Sequence, residues 1–219
     1  FMRNPVISPD GSTIAFSYKG DIYAVSSSGG TAYPIVTHEA YDFNPIWSPD
    51  GGSIAFASFR YGNPDVFLYD RESASTSRLT YHSAGDIPSA FNSDGSEILF
   101  SSSRLDRASN QQFPSGMLSE LYSVPVNGGR VQQILTTPAI KARYSADGSK
   151  IIYHDQKGYE DNYRKHHTSS VTRDIWIYDS NAQSFEQLTN FNGEDRNPVF
   201  APGEEEIYYL SEQSGSFNV

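Results

Sequence analysis

The chain has 219 residues, two methionines, no cysteine and a formal net charge of −10. The missing cysteine excludes a disulfide framework, a thiolate nucleophile and a cysteine metal site, and it is compatible with an oxidising compartment. An acidic body without clustered lysine and arginine excludes a nucleic-acid surface, and no apolar run approaches the length of a membrane span.

In chain order, Phe1-Met2-Arg3 passes without a visible signal peptide into Pro5-Val6-Ile7-Ser8-Pro9-Asp10-Gly11-Ser12-Thr13-Ile14-Ala15-Phe16. The phrase returns as Pro45-Ile46-Trp47-Ser48-Pro49-Asp50-Gly51-Gly52-Ser53-Ile54-Ala55-Phe56. Weaker copies surround Asp94-Gly95 and Asp147-Gly148, and a fifth, Val199-Phe200-Ala201-Pro202-Gly203, has lost the aspartate. Successive copies are 40, 44, 53 and 56 residues apart. A period near 40 made of short apolar runs between turns predicts propeller blades of four strands each. The expectation is an all-β chain, a β-propeller of four-stranded antiparallel blades. It would hold about four and a half blades of a six-bladed ring in one domain over 1–219, with repeats near 5–48, 45–92, 88–145, 140–201 and 198–219.

Within a repeat, Ser53–Ser58 reads as the first strand, Asp65–Asp70 as the second, Ser77–Thr80 as the start of the third and Pro88–Asn92 as the fourth. Pro5–Ser8 then stands as a lone fourth strand. Phe217-Asn218-Val219 falls in the second strand of a fifth repeat. Both ends therefore read as cut points, leaving open blade edges that invite self-association.

Ser-Pro-Asp-Gly is turn chemistry. Proline presets one turn angle, aspartate accepts a backbone N–H, and glycine takes a positive φ. A ring of metal-binding aspartates is the weaker reading, since no alternating oxygen ligands accompany them. His38 and His82 each precede an aspartate by four residues, Asp42 and Asp86, and Asp195 takes the same slot later. Recurrence in several repeats argues for hydrogen bonding in the connecting loops rather than for a single active site.

Two insertions stretch the third and fourth repeats, Ser103–Ser119 and Gln156–Arg173. Loops that join the first and second strands of neighbouring blades share a rim, which is where repeat proteins often bind. Arg60, Arg104, Arg164 and Lys165 follow first strands and would lend that rim positive charge suited to a peptide carboxylate. His166 and His167 lie on the same insertion. Adjacent histidines on an extended loop point to opposite sides, so zinc would need ligands from elsewhere. The residues leave three readings of that loop open: a solvated loop, a peptide or partner contact, and a metal site. No nucleophile elbow and no acid–base pair can be assembled, so no catalytic residue, metal ligand or cofactor site is assigned.

The repeat resembles the TolB-like, or PD40, propeller repeat along the whole chain. Leu79-Thr80-Tyr81-His82-Ser83-Ala84-Gly85-Asp86-Ile87-Pro88, Lys157–Ser170 and Glu194-Asp195-Arg196-Asn197-Pro198 resemble the amino-terminal propeller of bacterial tricorn-like peptidases of the S41 class. The resemblance implies a non-catalytic propeller that gates or binds peptides for a PDZ and serine peptidase region of the same protein. The alternative it implies is a TolB-type propeller docking a periplasmic partner. An enzyme with its site in the central channel is a third reading. An extracytoplasmic location is expected, with a cytoplasmic one as the alternative.

Overall fold

A computed structural model describes residues 1–104, 118–158 and 169–219. Every regular element among the described residues is a β-strand. The first sheet runs in chain order through β1 (Arg3–Ile7), β2 (Thr13–Tyr18), β3 (Asp21–Ser26) and β4 (Tyr33–Val36). The second holds β5 (Asp42–Trp47), β6 (Ser53–Ser58), β7 (Asp65–Asp70) and β8 (Ser75–Arg78). The third holds β9 (Asp86–Phe91), β10 (Glu97–Ser102), β11 (Glu120–Pro125) and β12 (Gln132–Leu135). The fourth holds β13 (Ala139–Tyr144), β14 (Lys150–Asp155), β15 (Ile175–Asp179) and β16 (Ser184–Gln187). A fifth pair, β17 (Asp195–Phe200) and β18 (Ile207–Ser211), is extended by a bridge from Ser211 to Asn218. These are antiparallel propeller blades: among the described residues, four sheets of four strands and one of two.

The sheets group the strands one place earlier than the repeat suggests. Pro5–Ser8 is not a lone fourth strand; β1 opens its own sheet, with Val6 opposite Ala15. The cause is the turn. Ser8 N donates to Thr13 O at 2.7 Å and Gly11 N to Ser8 O at 2.9 Å, folding the strand before Asp-Gly directly onto the one after it. Side chains lock the turn. The Ser8 hydroxyl donates to Asp10 at 2.5 Å and accepts from Thr13 N at 2.9 Å, while Asp10 also accepts Ser12 N. Ser48 with Asp50 and Ser145 with Asp147 repeat the pattern, and Asn92 replaces the serine before Asp94. The four turn glycines have φ between 71° and 74°, where a Cβ would be strained. The serine hydroxyl and backbone N–H bonds hold the Asp10 and Asp147 carboxyls down to about 2.

The strand expected to run through Ser77–Thr80 is the fourth of its sheet, β8, and it ends at Arg78; β16 likewise ends at Gln187, before Leu188-Thr189. There the threonine side chain replaces the ladder. Thr80 Oγ1 accepts Val66 N, and Thr189 Oγ1 accepts Ile175 N, both at 2.9 Å.

Four of the five first strands, β1, β5, β13 and β17, carry a β-bulge with one residue in the left-handed region: Asn4, Asn44, Lys141 and Asn197, with φ from 50° to 56°. Asparagine tolerates this conformation better than most residues. The bulges join neighbouring blades. Asn44 N donates to Ser17 Oγ at 3.2 Å and its side chain to Pro88 O at 2.7 Å. Asn197 N donates to His154 Nδ1 at 3.0 Å. Burial holds this imidazole neutral, with its pKa down at about 3, and the charges of Arg173, Lys141 and Arg196 add to the effect. A backbone bond recurs at the first residue of β5, β9, β13 and β17. Asp42 N donates to Gly20 O, Asp86 N to Pro64 O, Ala139 N to Ser119 O and Asp195 N to Arg173 O, at 2.7 to 3.0 Å.

The chain divides into two compact units. The first, Phe1–Ser102 with Tyr122–Gln132, packs Ile46, Val66, Leu79, Ile98, Phe100 and Tyr122 in one cluster and Ile22, Val36, Phe56 and Phe67 in another. Stacked ring pairs, Phe56 with Phe67 and Phe100 with Tyr122, lie 5.8 Å apart. Each buried ring contributes about 1.5–3 kcal/mol relative to exposure. The second unit, Ser103–Leu121 with Gln133–Val219, buries Ile151, Ile152, Tyr153 and Ile175.

Candidate functional site

The second strand of each of three blades carries a buried aromatic ring, Phe56, Phe100 or Tyr153, and a cation follows four residues on: Arg60, Arg104 or Lys157. In the first unit the Arg60 guanidinium reaches Asp42 at 2.8 Å and lies 4.9 Å from the centre of the Phe67 ring. Asp42 is fully buried and the Arg60 side chain is 14% exposed, so this charge is already matched within the protein. Arg104 occupies the equivalent place, two residues after β10. Arg164, Lys165, His166 and His167 lie outside the described residues. His38 and His82 serve their loops, each accepting the backbone N–H two residues on through Nδ1, at 2.9 and 3.0 Å.

Lys157, the third cation of the series, belongs to a different setting. Its ammonium binds the Asp174 carboxylate, donates to Thr172 O at 2.9 Å and stands 3.5 Å from Asp155. Burial alone would depress this ammonium, but the bond to Asp174 and the charge of Asp155 overcome it and hold the group above its ordinary range. Burial pushes the Asp155 carboxyl up, and the neighbouring charge of Asp174 adds to that, while Lys157 and hydrogen bonds oppose it. Asp155 accepts Asp174 N through Oδ1 at 2.9 Å and Trp176 Nε1 through Oδ2 at 3.3 Å.

Asp155 and Lys157 edge a pocket of about 380 Å³ within the second unit. Its walls are mostly carbon, from Leu118, Pro138, Tyr153, Trp176 and Phe185, with Thr137 and Gln156 completing them. Burial, together with the charge of Asp155, pushes the Tyr153 hydroxyl up to about 12, so it stays protonated across the physiological range. The strands explain the convergence. Tyr153 and Asp155 point to one face of β14, two residues apart, and Trp176 stands opposite Tyr153 on β15.

The pocket sits at the roots of both insertions. Leu118 lies at the end of one and Gln156–Lys157 at the start of the other. Ser119 N donates to Gln156 Oε1 at 3.1 Å, which ties the two roots together. The sequence locates the insertions, one of them from Gln156, but marks none of these wall residues as a site. One signal was present, the four-residue step from ring to cation that leads to Lys157. The rings come from separate strands and share no motif.

A carbon-walled pocket of a few hundred Å³ with a few fixed polar groups at its edge has the form of a small-ligand or side-chain site. Among the described residues, no three His, Asp or Glu side chains are grouped as a bound metal would require.

No curated protein sequence matches this chain. The tricorn protease crystal structure is similar over 98% of this chain and 20% of that one, with 22% identity and a TM-score of 0.76. The putative TolB from Agrobacterium tumefaciens is similar over 99% of this chain and 74% of that one, with 22% identity and a TM-score of 0.70. TolB from Acinetobacter baumannii is similar over 96% and 49%, with 22% identity and a TM-score of 0.69. These likenesses are of fold, and this chain spans about a fifth of the tricorn protease chain. The family model of the tricorn protease N-terminal beta propeller domain matches residues 1–219, and the chain belongs to that family.

Proposed function

We propose that this chain is a non-catalytic propeller domain that binds peptides for a tricorn-like serine peptidase, and that peptide contact centres on the pocket of the second unit. The observation that carries the reading is the meeting of the two insertion roots at a ring-walled pocket, joined by the Ser119–Gln156 bond. Insertions on a rigid repeat scaffold are the usual carriers of recognition. The proposed location is extracytoplasmic.

The test is retention of a random-sequence peptide mixture on the immobilised chain, read by mass spectrometry. Retained, intact peptides are expected. Leu118→Trp, which fills the pocket, should abolish retention while leaving the thermal midpoint in place. Equal retention by both proteins would move the site elsewhere, and cleavage of the peptides would make the chain an enzyme in its own right. A second reading, a TolB-type propeller docking a protein partner, is favoured by the likeness to the two TolB structures. It expects retention of a folded protein and none of short peptides.

A further inference from the structure

The pocket is narrow in size and unbalanced in charge. Among the described residues, two carboxylates, Asp155 and Asp174, face one ammonium, Lys157, leaving one negative charge in excess beside a mostly carbon wall. Asp155 also has acceptor capacity to spare. A carboxylate offers about four acceptor positions. Here Oδ1 takes a single backbone N–H at 2.9 Å, while Oδ2 takes an indole N–H at 3.3 Å and stands 3.5 Å from the Lys157 ammonium. Lys157 keeps its closer contact for Asp174.

An occupant that matches this pocket is apolar in bulk and cationic at one edge. In an extended peptide, successive side chains point to opposite sides. A basic side chain next to an apolar one would therefore point away from the pocket. The first residue of a peptide differs, because its ammonium sits on the same Cα as its side chain. A volume of about 380 Å³ is near the lower end for ligand pockets and suits one or two residues rather than a long segment.

Building on the peptide-binding reading, we propose that this pocket receives the amino-terminal residue of a peptide. Its apolar side chain lies against Tyr153, Trp176 and Phe185, and its α-ammonium rests on Asp155. The site thus selects peptides with a free, apolar amino terminus.

The test is calorimetric titration of the 219-residue chain with leucyl-glycyl-glycine, its N-acetyl form and triglycine. The free-amine leucyl peptide should bind at least about tenfold more tightly than either control, since each control lacks one of the two contacts. Asp155→Asn should lower its affinity to that of the acetylated peptide and leave the acetylated peptide unchanged. Binding should also weaken above about pH 8, where an α-amino group loses its proton. Equal affinity for the free and acetylated peptides overturns the amino-terminal assignment and leaves the peptide-binding reading standing. So does failure of all three ligands while longer peptides are still retained from the random mixture. Retention of no peptide of any kind removes the broader reading, and this one with it. Should Asp155→Asn fail to fold, the acetylation comparison on the unaltered chain decides alone.

Discussion

Replacing Arg60 by methionine removes a guanidinium from a fully buried partner while keeping most of the apolar stem against Phe67. At 2.8 Å and an effective dielectric near 20, the Arg60–Asp42 attraction is about 6 kcal/mol before desolvation is subtracted. Most of that is offset by the cost of taking both groups from water, so the pair itself contributes little net stability. Breaking it is another matter. Asp42 would remain buried, with Oδ1 already lacking a hydrogen-bond partner, and the expected loss is about 3–5 kcal/mol. Asp42→Asn should cost less, about 1–3 kcal/mol, because the Arg60 side chain can turn outward to water. The double variant, with no charge left to strand, should recover about 2 kcal/mol relative to the sum of the singles. Urea unfolding of the four proteins measures the cycle. Additive losses, or an Arg60→Met protein within about 0.5 kcal/mol of the unaltered chain, would refute the ion-pair argument. Folded Arg60→Met protein should still retain peptides, since this guanidinium is committed to Asp42.

Three further outcomes are expected. His154 is held neutral in the fold, with its pKa near 3 against an ordinary 6.5. The unfolded chain therefore takes up a proton that the fold refuses, and stability falls as pH drops from about 6.5 toward 3, by up to about 1.4 kcal/mol per pH unit. His154→Asn keeps an acceptor for Asn197 N and should remove that slope in denaturation series at pH 6.5, 5.5 and 4.5; an unchanged slope counts against it. Ser48→Ala deletes one donor and one acceptor from the second blade's turn and should cost about 1–2 kcal/mol in thermal unfolding, with little effect on peptide retention. Lys141 sits at φ 55° in a slot that asparagine fills in β5 and β17, and burial and Arg143 disfavour its charge. Lys141→Asn should therefore stabilise the chain by about 1 kcal/mol, and a lower urea midpoint would contradict this.

The blades were legible because their turn is a local device. A serine or asparagine two places before Asp-Gly fixes one hairpin whatever lies around it, and the copies at Asp10, Asp50, Asp94 and Asp147 all fold that way, the last two without proline. The end of β8 is less legible, because Leu79-Thr80 looks like strand while the Thr80 hydroxyl in fact stands in for a backbone partner. The bulges left a trace in Asn4-Pro5, Asn44-Pro45 and Asn197-Pro198, although nothing in those pairs reveals which blade each will touch. The pocket was least legible. Leu118, Pro138, Tyr153, Trp176 and Phe185 are spread over 68 positions and converge only through pairing. Lys157 was hidden among ordinary surface charges until its alignment with Arg60 gave it a place.

The joints between blades bear on how such a chain could have grown. In the bonds from Asp42 to Gly20, Asp86 to Pro64, Ala139 to Ser119 and Asp195 to Arg173, donor and acceptor are both main-chain atoms. A tandem duplication of one repeat copies the donor and the acceptor together, and neither depends on which side chains came along. The new copy can dock at once and diverge afterwards. Alanine stands at 139 where the other three joints have aspartate, and the joint is kept; the spacing between copies ranges from 40 to 56 residues. Inheritance of this kind lets the rim specialise while the number of blades changes by simple copying.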